Sequence, residues 1–205
     1  MSVVEDFKSK HPLLETVARE LEKYLKDTLR DAVRVDRVSA RAKTVASFEK
    51  KSLKVEKDGS PRYKEPLVEI QDQIGARVIV FFRSDVERVA AEVSHYFNAI
   101  EEKKLTPEGG FWAFGYFGRH FILPVPPEVL PADASAKKLV PEFFELQIKT
   151  LFQHAWSEGN HDLGYKPIDE LSAEDQRCLA YAAAQAWGAD REFEEFFVRQ
   201  QSAGA

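Results

Sequence analysis

The stretch Phe143-Phe144-Glu145-Leu146-Gln147-Ile148-Lys149-Thr150 constrains the fold most tightly. Its apolar and polar residues alternate with period two. Phe144, Leu146 and Ile148 therefore share one face of a strand, and Glu145, Gln147 and Lys149 share the other. One face asks for a core beneath it. The other presents a carboxylate, an amide and an ammonium in a row, which serves either as a solvated surface or as the floor of a site.

A second strand follows from the apolar, β-rich run Gly75-Ala76-Arg77-Val78-Ile79-Val80-Phe81-Phe82, read as central and covered on both faces. Asp72 sits at its mouth. A third spans Ala32 to Lys43, with Val33, Val35, Arg37, Ser39, Arg41 and Lys43 on one face and Val38, Ala40 and Ala42 on the other. Arg119 to Val125 reads as a fourth. Helices fit residues 12–30, 85–100 and 150–163, and residues 175–200 fit one helix or two. In these, Tyr96, Phe97, Ala155 and Trp156 are expected to face inward. Lys57 to Pro61 is a turn, Lys103 to Gly115 a glycine-rich aromatic loop, and 126–140 a proline-rich loop. Such an order gives a mixed sheet flanked by helices in one domain over 1–205, with its core at about 30–166 and a C-terminal helical segment at 172–200.

Charge narrows the partners. The chain carries a net charge of −5, against broad nucleic-acid binding, yet residues 34–57 hold eight basic residues against three acidic ones. Such a patch suits a small polyanion such as a nucleotide. Within it, Thr44 reads as an N-cap, which sets Ser47 and Lys51 one helical turn apart beside Arg41 and Lys43. Three cations and a hydroxyl converging there suit a polyphosphate, though a solvated basic helix has the same pattern. Cys178, the one cysteine, lies in an apolar helical pattern and is expected in the core. No apolar run reaches the roughly 20 residues of a membrane span and no secretory leader is visible, so a cytoplasmic setting is expected. His154 and His161 are seven apart and form a conceivable metal pair, without a third spaced ligand.

Several motifs then fall in one order: Arg41-Ala42-Lys43 with Ser47 and Lys51; Asp72 to Arg77; Gly115-Tyr116 with His120; Glu145 to Thr150; and His154 to Glu158 with His161 to Lys166. Over about residues 35–166 this resembles the synthetase domain of the RelA/SpoT family, the alarmone synthetases, in its small stand-alone form. The resemblance implies a nucleotidyltransferase-like α+β fold. It also implies transfer of the β,γ-diphosphate of ATP to the 3′-hydroxyl of GDP or GTP, with Mg²⁺. On this resemblance Asp72 and Glu145 are the catalytic, metal-holding carboxylates. Arg41, Lys43, Ser47, Lys51 and Arg77 hold ATP, with Arg41 stacked on adenine and Arg77 opposite. Tyr116, His120, Gln147 and Arg119 hold the acceptor. The acceptor loop departs from the family pattern: Gly118 stands where the family has serine, and the lysine that usually precedes the tyrosine is missing. Relatives that pyrophosphorylate the 3′ end of tRNA or adenine nucleotides, acting as toxins with antitoxin partners, fit that departure. The resemblance also suggests homo-oligomers built through the C-terminal helix.

Overall fold

A computed structural model describes residues 2–31, 34–105, 114, 118–163 and 171–203. Its described residues form a five-stranded sheet in the order β1-β2-β5-β4-β3. The strands are β1 (Val35–Ala42), β2 (Ile74–Val80), β3 (Glu101–Leu105), β4 (Gly118–Pro124) and β5 (Phe143–Thr150). Only the β2–β5 pair is parallel; the other three are antiparallel. The alternating stretch read first is thus the middle strand.

Its apolar side meets a core that includes Ala76, Val78, Val80, Phe121, Leu123, Phe144, Leu146 and Ile148. Helix α1 (Val3–Thr28) contributes Phe7, Leu14, Val17, Leu21 and Leu25 to the same core. It begins well before the expected residue 12. Ser2 and Glu5 close a capping box, and the helix runs through Pro12. Helix α4 (Arg83–Tyr96) adds Val86, Val89, Ala90 and Val93, but Tyr96 points outward because the helix ends there and Phe97 takes the inner position.

The opposite face of the sheet is open at one end and covered at the other. Helix α6 (Leu151–Leu163) leaves β5 directly, and α7 (Ala173–Ala203) packs on α6 as one continuous helix. Beneath them Ile79 and Lys149 are buried. Gly75 and Arg77 remain partly open, so β2 is covered on both faces only in its second half. Ala155 and Cys178 are exposed, against expectation, since α6 and α7 turn other residues toward each other.

The segment Lys103 to Gly115, expected to be loop, starts inside β3, an edge strand of Glu101-Glu102-Lys103-Lys104-Leu105. The proline-rich loop holds a 3-10 turn at Pro127–Val129 and a short α5 (Ala134–Lys137). Lys57 to Pro61 is the expected turn, made by Gly59 at φ +83°, a conformation in which a side chain would be strained. Among the described residues no helix is long and apolar enough to cross a membrane.

Candidate active site

Register decides what lies together on the open face. Arg41 pairs with Gly75, Gly75 with Glu145, and Glu145 with Ile122. One step along the strands, Ser39, Arg77, Gln147, His120 and Lys103 form a second row across all five strands. Cross-strand partners share a face, so these two rows floor a single surface. A cleft of about 440 Å³ opens above them, lined among others by Arg41, Lys43, Ser47, Asp72, Gly75, Arg77, Glu145 and Gln147.

One wall is helix α2 (Val45–Ser52). Thr44 caps it, its hydroxyl accepting from the Ser47 N–H, as the sequence suggested. Phe48 on the inner side of α2 stacks on Phe7 of α1, with ring centroids 3.9 Å apart, and this fixes the wall to the core. Ser47 and Lys51 are thereby turned toward the cleft.

Asp72 comes from a short turn between α3 (Pro66–Glu69) and β2. That turn is held by Gln73, which is buried and donates to the carbonyls of Leu67 and Ile70 at 2.8 and 2.9 Å. The Gln73 carbonyl accepts from the Lys43 N–H at 2.8 Å and ties the turn to the end of β1. Lys43 Nζ donates to Asp72 Oδ2 at 2.7 Å, and Lys51 Nζ lies 2.9 Å from Oδ1. Burial disfavours the Asp72 charge and is the largest single influence on it. Lys43 and Lys51 together outweigh burial and hold the carboxyl below its usual range. Each Asp72 oxygen thus faces one ammonium.

Glu145 sits across the floor. Its Oε1 is 2.9 Å from His120 Nδ1, and its Oε2 accepts from Gln147 Nε2 at 3.0 Å. Burial again works against the charge most strongly, and His120 and Gln147 prevail over it. Asp72 repels weakly, so the two carboxylates face a common space. Glu145 is therefore ionised and oriented.

Of the residues named from sequence, Arg41, Lys43, Ser47, Lys51, Asp72, Arg77, Glu145, Gln147 and His120 are brought to this face. Arg41 is exposed, with no ion pair among the described residues. Arg77 is tied to α6, its Nη1 2.7 Å from Glu158 Oε1. Arg119 does not join them. It is one residue from His120 and pairs with Ile148, so strand alternation sends it to the other face, where it meets Glu87 and Glu102. Tyr116 lies outside the described residues, as do the side chains of His161 and Asp162. Among the described residues no cluster of three or more metal-ligating side chains occurs.

Sequence reasoning passed over Gln73 and Glu158, and it gave Lys149 no role. Lys149 is buried on the site's face, and burial first, then Arg77, brings its ammonium down to about 8. Its place in the Glu145-Gln147-Lys149 row was the available signal. The Glu158 contact with Arg77 is non-local and no local pattern announces it, whereas the Gln73 side chain bonds carbonyls only three and six residues back.

Comparison with known proteins agrees with this fold. Similar folds include the small alarmone synthetase 1 from Bacillus subtilis, 23% identical, with TM-score 0.72 and 98% of each chain covered. A GTP pyrophosphokinase family protein from Streptococcus pneumoniae is 21% identical, with TM-score 0.73 over 99% of this chain and 97% of that one. The Bacillus subtilis synthetase 1 bound to AMPCPP matches at 21% identity and TM-score 0.68, over 96% of this chain and 97% of that one. At such identities the likeness is one of fold. Comparison with curated proteins gives no match. The model of the region found in RelA / SpoT proteins matches residues 40–170, the span that carries both carboxylates and the cations beside Asp72, and the chain belongs to that family.

Proposed function

We propose that the protein is an ATP-dependent pyrophosphokinase that moves the β,γ-diphosphate of ATP to the 3′-hydroxyl of GDP or GTP, making (p)ppGpp. The observation that carries this reading is the pairing of Asp72 and Glu145 in one cleft with Lys43, Ser47 and Lys51 on its wall. The acceptor 3′-oxygen attacks the β-phosphorus as its hydroxyl proton passes to Glu145, the bond from that phosphorus to the oxygen bridging it to the α-phosphate breaks, and AMP leaves. Little covalent help is needed; placement and charge supply the acceleration.

Lys43 and Lys51 neutralise Asp72 in the structure as it stands and are within reach of a triphosphate. Arg41 and Arg77 are diagonal neighbours on adjacent strands, about 7–8 Å apart. Two guanidinium groups on one face of the sheet are suited to stacking on a flat base. Gly75 lies between Arg41 and Glu145, and a Cβ there would meet nothing within 4 Å, so the floor leaves space for the ligand.

Asp72 and Glu145 would hold Mg²⁺; two carboxylates plus substrate phosphates are the usual setting for that ion, and Lys43 and Lys51, which pair with the Asp72 oxygens here, would be free to turn to the phosphates. When bound, Mg²⁺ would neutralise charge on the phosphates in flight. Glu145, ionised and with His120 at its side, orients the 3′-hydroxyl and takes its proton as the attack proceeds.

A second reading has its own observation. Residues 105–118 contain no Lys, Arg or His, Arg119 faces away, and Lys103, on the site's face, is paired with Glu101 at 2.5 Å. An acceptor side so poor in free cations suits a ribose with fewer 5′ charges, as in toxic relatives acting on the tRNA 3′ end or on adenine nucleotides.

The test is an acceptor screen with γ-labelled ATP and Mg²⁺, offering GDP, GTP, AMP, ADP and deacylated tRNA separately, with Glu145→Gln alongside. Label in guanosine tetra- or pentaphosphate, lost in the variant by about 10²-fold or more, supports the first reading. Label only in tRNA or adenosine products replaces it with the second. No transfer to any acceptor refutes both.

A further inference from the structure

A polar side chain that is 1% exposed needs a reason to be there, and Gln73 is one. It lies between Asp72 and Ile74, and both Ile70 and Ile74 are buried in the core. Its Oε1 is buried and accepts from no group among the described residues, a cost that a methionine of the same length would avoid. What the amide supplies is its nitrogen. Nε2 donates to the carbonyls of Leu67 and Ile70 and so uses both of its hydrogens. Helix α3 is only four residues long, and carbonyls at its end have no further turn of helix to donate to them. Gln73 provides those donors from beyond Asp72.

The segment it spans carries the site. Between Ile70 and β2 the chain makes one short turn, Gln71–Gln73, and Asp72 in its middle has φ −91° and ψ 31°, off the helical basin. The shape of so short and irregular a turn depends on what ties its ends together. The Gln73 side chain ties residue 73 back to residues 67 and 70. Its backbone carbonyl accepts from the Lys43 N–H, one step beyond the Ala42–Ile74 pair of the β1–β2 ladder. Lys43 Nζ then donates to Asp72 Oδ2. One residue therefore holds the backbone on both sides of the Asp72–Lys43 pair.

We propose that Gln73 is a positioning residue for the reaction: its side-chain amide staples the turn to α3 and so fixes the Asp72 carboxylate against Lys43 in the cleft. This rests on the reading of the cleft as an ATP site in which Asp72 holds Mg²⁺. The amide touches neither nucleotide nor metal and acts only through Asp72. A displacement of about 1 Å at such a carboxylate is enough to be felt.

The experiment is a double-mutant cycle on the full chain. Binding of α,β-methylene-ATP with Mg²⁺ is measured by calorimetry in wild type, Gln73→Met, Asp72→Asn and the double variant, with thermal melts and kcat/KM alongside. Gln73→Met is expected to weaken binding about tenfold or more, with kcat/KM falling in step. In the Asp72→Asn background the same change is expected to alter binding by less than about twofold, because no carboxylate is left to place. Gln73→Asn keeps the amide but not its reach, and is expected to fall between wild type and Gln73→Met; it carries the cycle if Gln73→Met melts below the assay temperature. Equal weakening in both backgrounds would mean that Gln73 only supports the fold, and would overturn the inference. Unchanged binding and kcat/KM in Gln73→Met would overturn it as well. If wild type does not bind the analogue, the ATP reading itself falls, a result distinct from loss of coupling.

Discussion

Asp190 gives a stability prediction that can be worked through. It lies on α7, 3% exposed, and its Oδ2 accepts from the hydroxyl of Thr150, the last residue of β5, at 2.7 Å. Its other oxygen is buried without a partner. Burial, the largest influence, pushes the carboxyl from 3.8 up to about 6. The folded protein thus binds this proton more tightly than the unfolded chain. Below about pH 4 both states are protonated and nothing is lost. As pH rises toward 6 the unfolded carboxyl ionises first, and stability falls. Above 6 the loss is complete, on the order of 3 kcal/mol. Asp190→Asn keeps an acceptor for Thr150 and cannot ionise. It should stabilise the fold at pH 7.5 by more than at pH 4.5, the difference being about 2 kcal/mol. For a chain of this size that is roughly 4–8 °C in Tm. The assay is thermal unfolding of both proteins at the two pH values. A gain equal at both, or a loss at pH 7.5, would refute the claim that a buried charge strains this contact.

Two further outcomes probe the cleft. Gly75→Val should lower kcat/KM at least about tenfold while leaving Tm unchanged or higher, because its side chain fills open cleft above the floor rather than striking protein, and valine suits a strand better than glycine; steady-state kinetics beside a thermal melt separate the two effects. Arg119→Ala should leave acceptor KM unchanged and cost about 1–3 kcal/mol in denaturant unfolding, since its mostly buried side chain packs and pairs with Glu87 and Glu102 on the far face; a rise in acceptor KM would restore the role expected from sequence.

The Arg119 case shows where sequence reading reaches its limit. Alternation within one strand is local, so the polar row of β5, the two faces of β1 and the Thr44 cap were all legible. Which strand lies beside which is not local. Arg119 was the nearest cation to the acceptor loop along the chain, yet the β4–β5 register gives its neighbour His120 to Glu145 and gives Arg119 to Glu87 and Glu102. β3 was missed for a related reason: as an edge strand, Glu101 to Lys104 needs no apolar stripe, and its stability comes from backbone pairing with β4 and from ion pairs. The early start of α1 was a different kind of miss. Ser2-Val3-Val4-Glu5 carries the capping-box pattern in full, and Pro12 drew the boundary too late.

Glu158 combines both lessons. Its own helix is legible from periodicity, but its meaning depends on Arg77, 81 positions earlier, reaching it from β2 across the open face. Which strand and helix residues meet across that face is set by the sheet order, and the local pattern of neither element shows it.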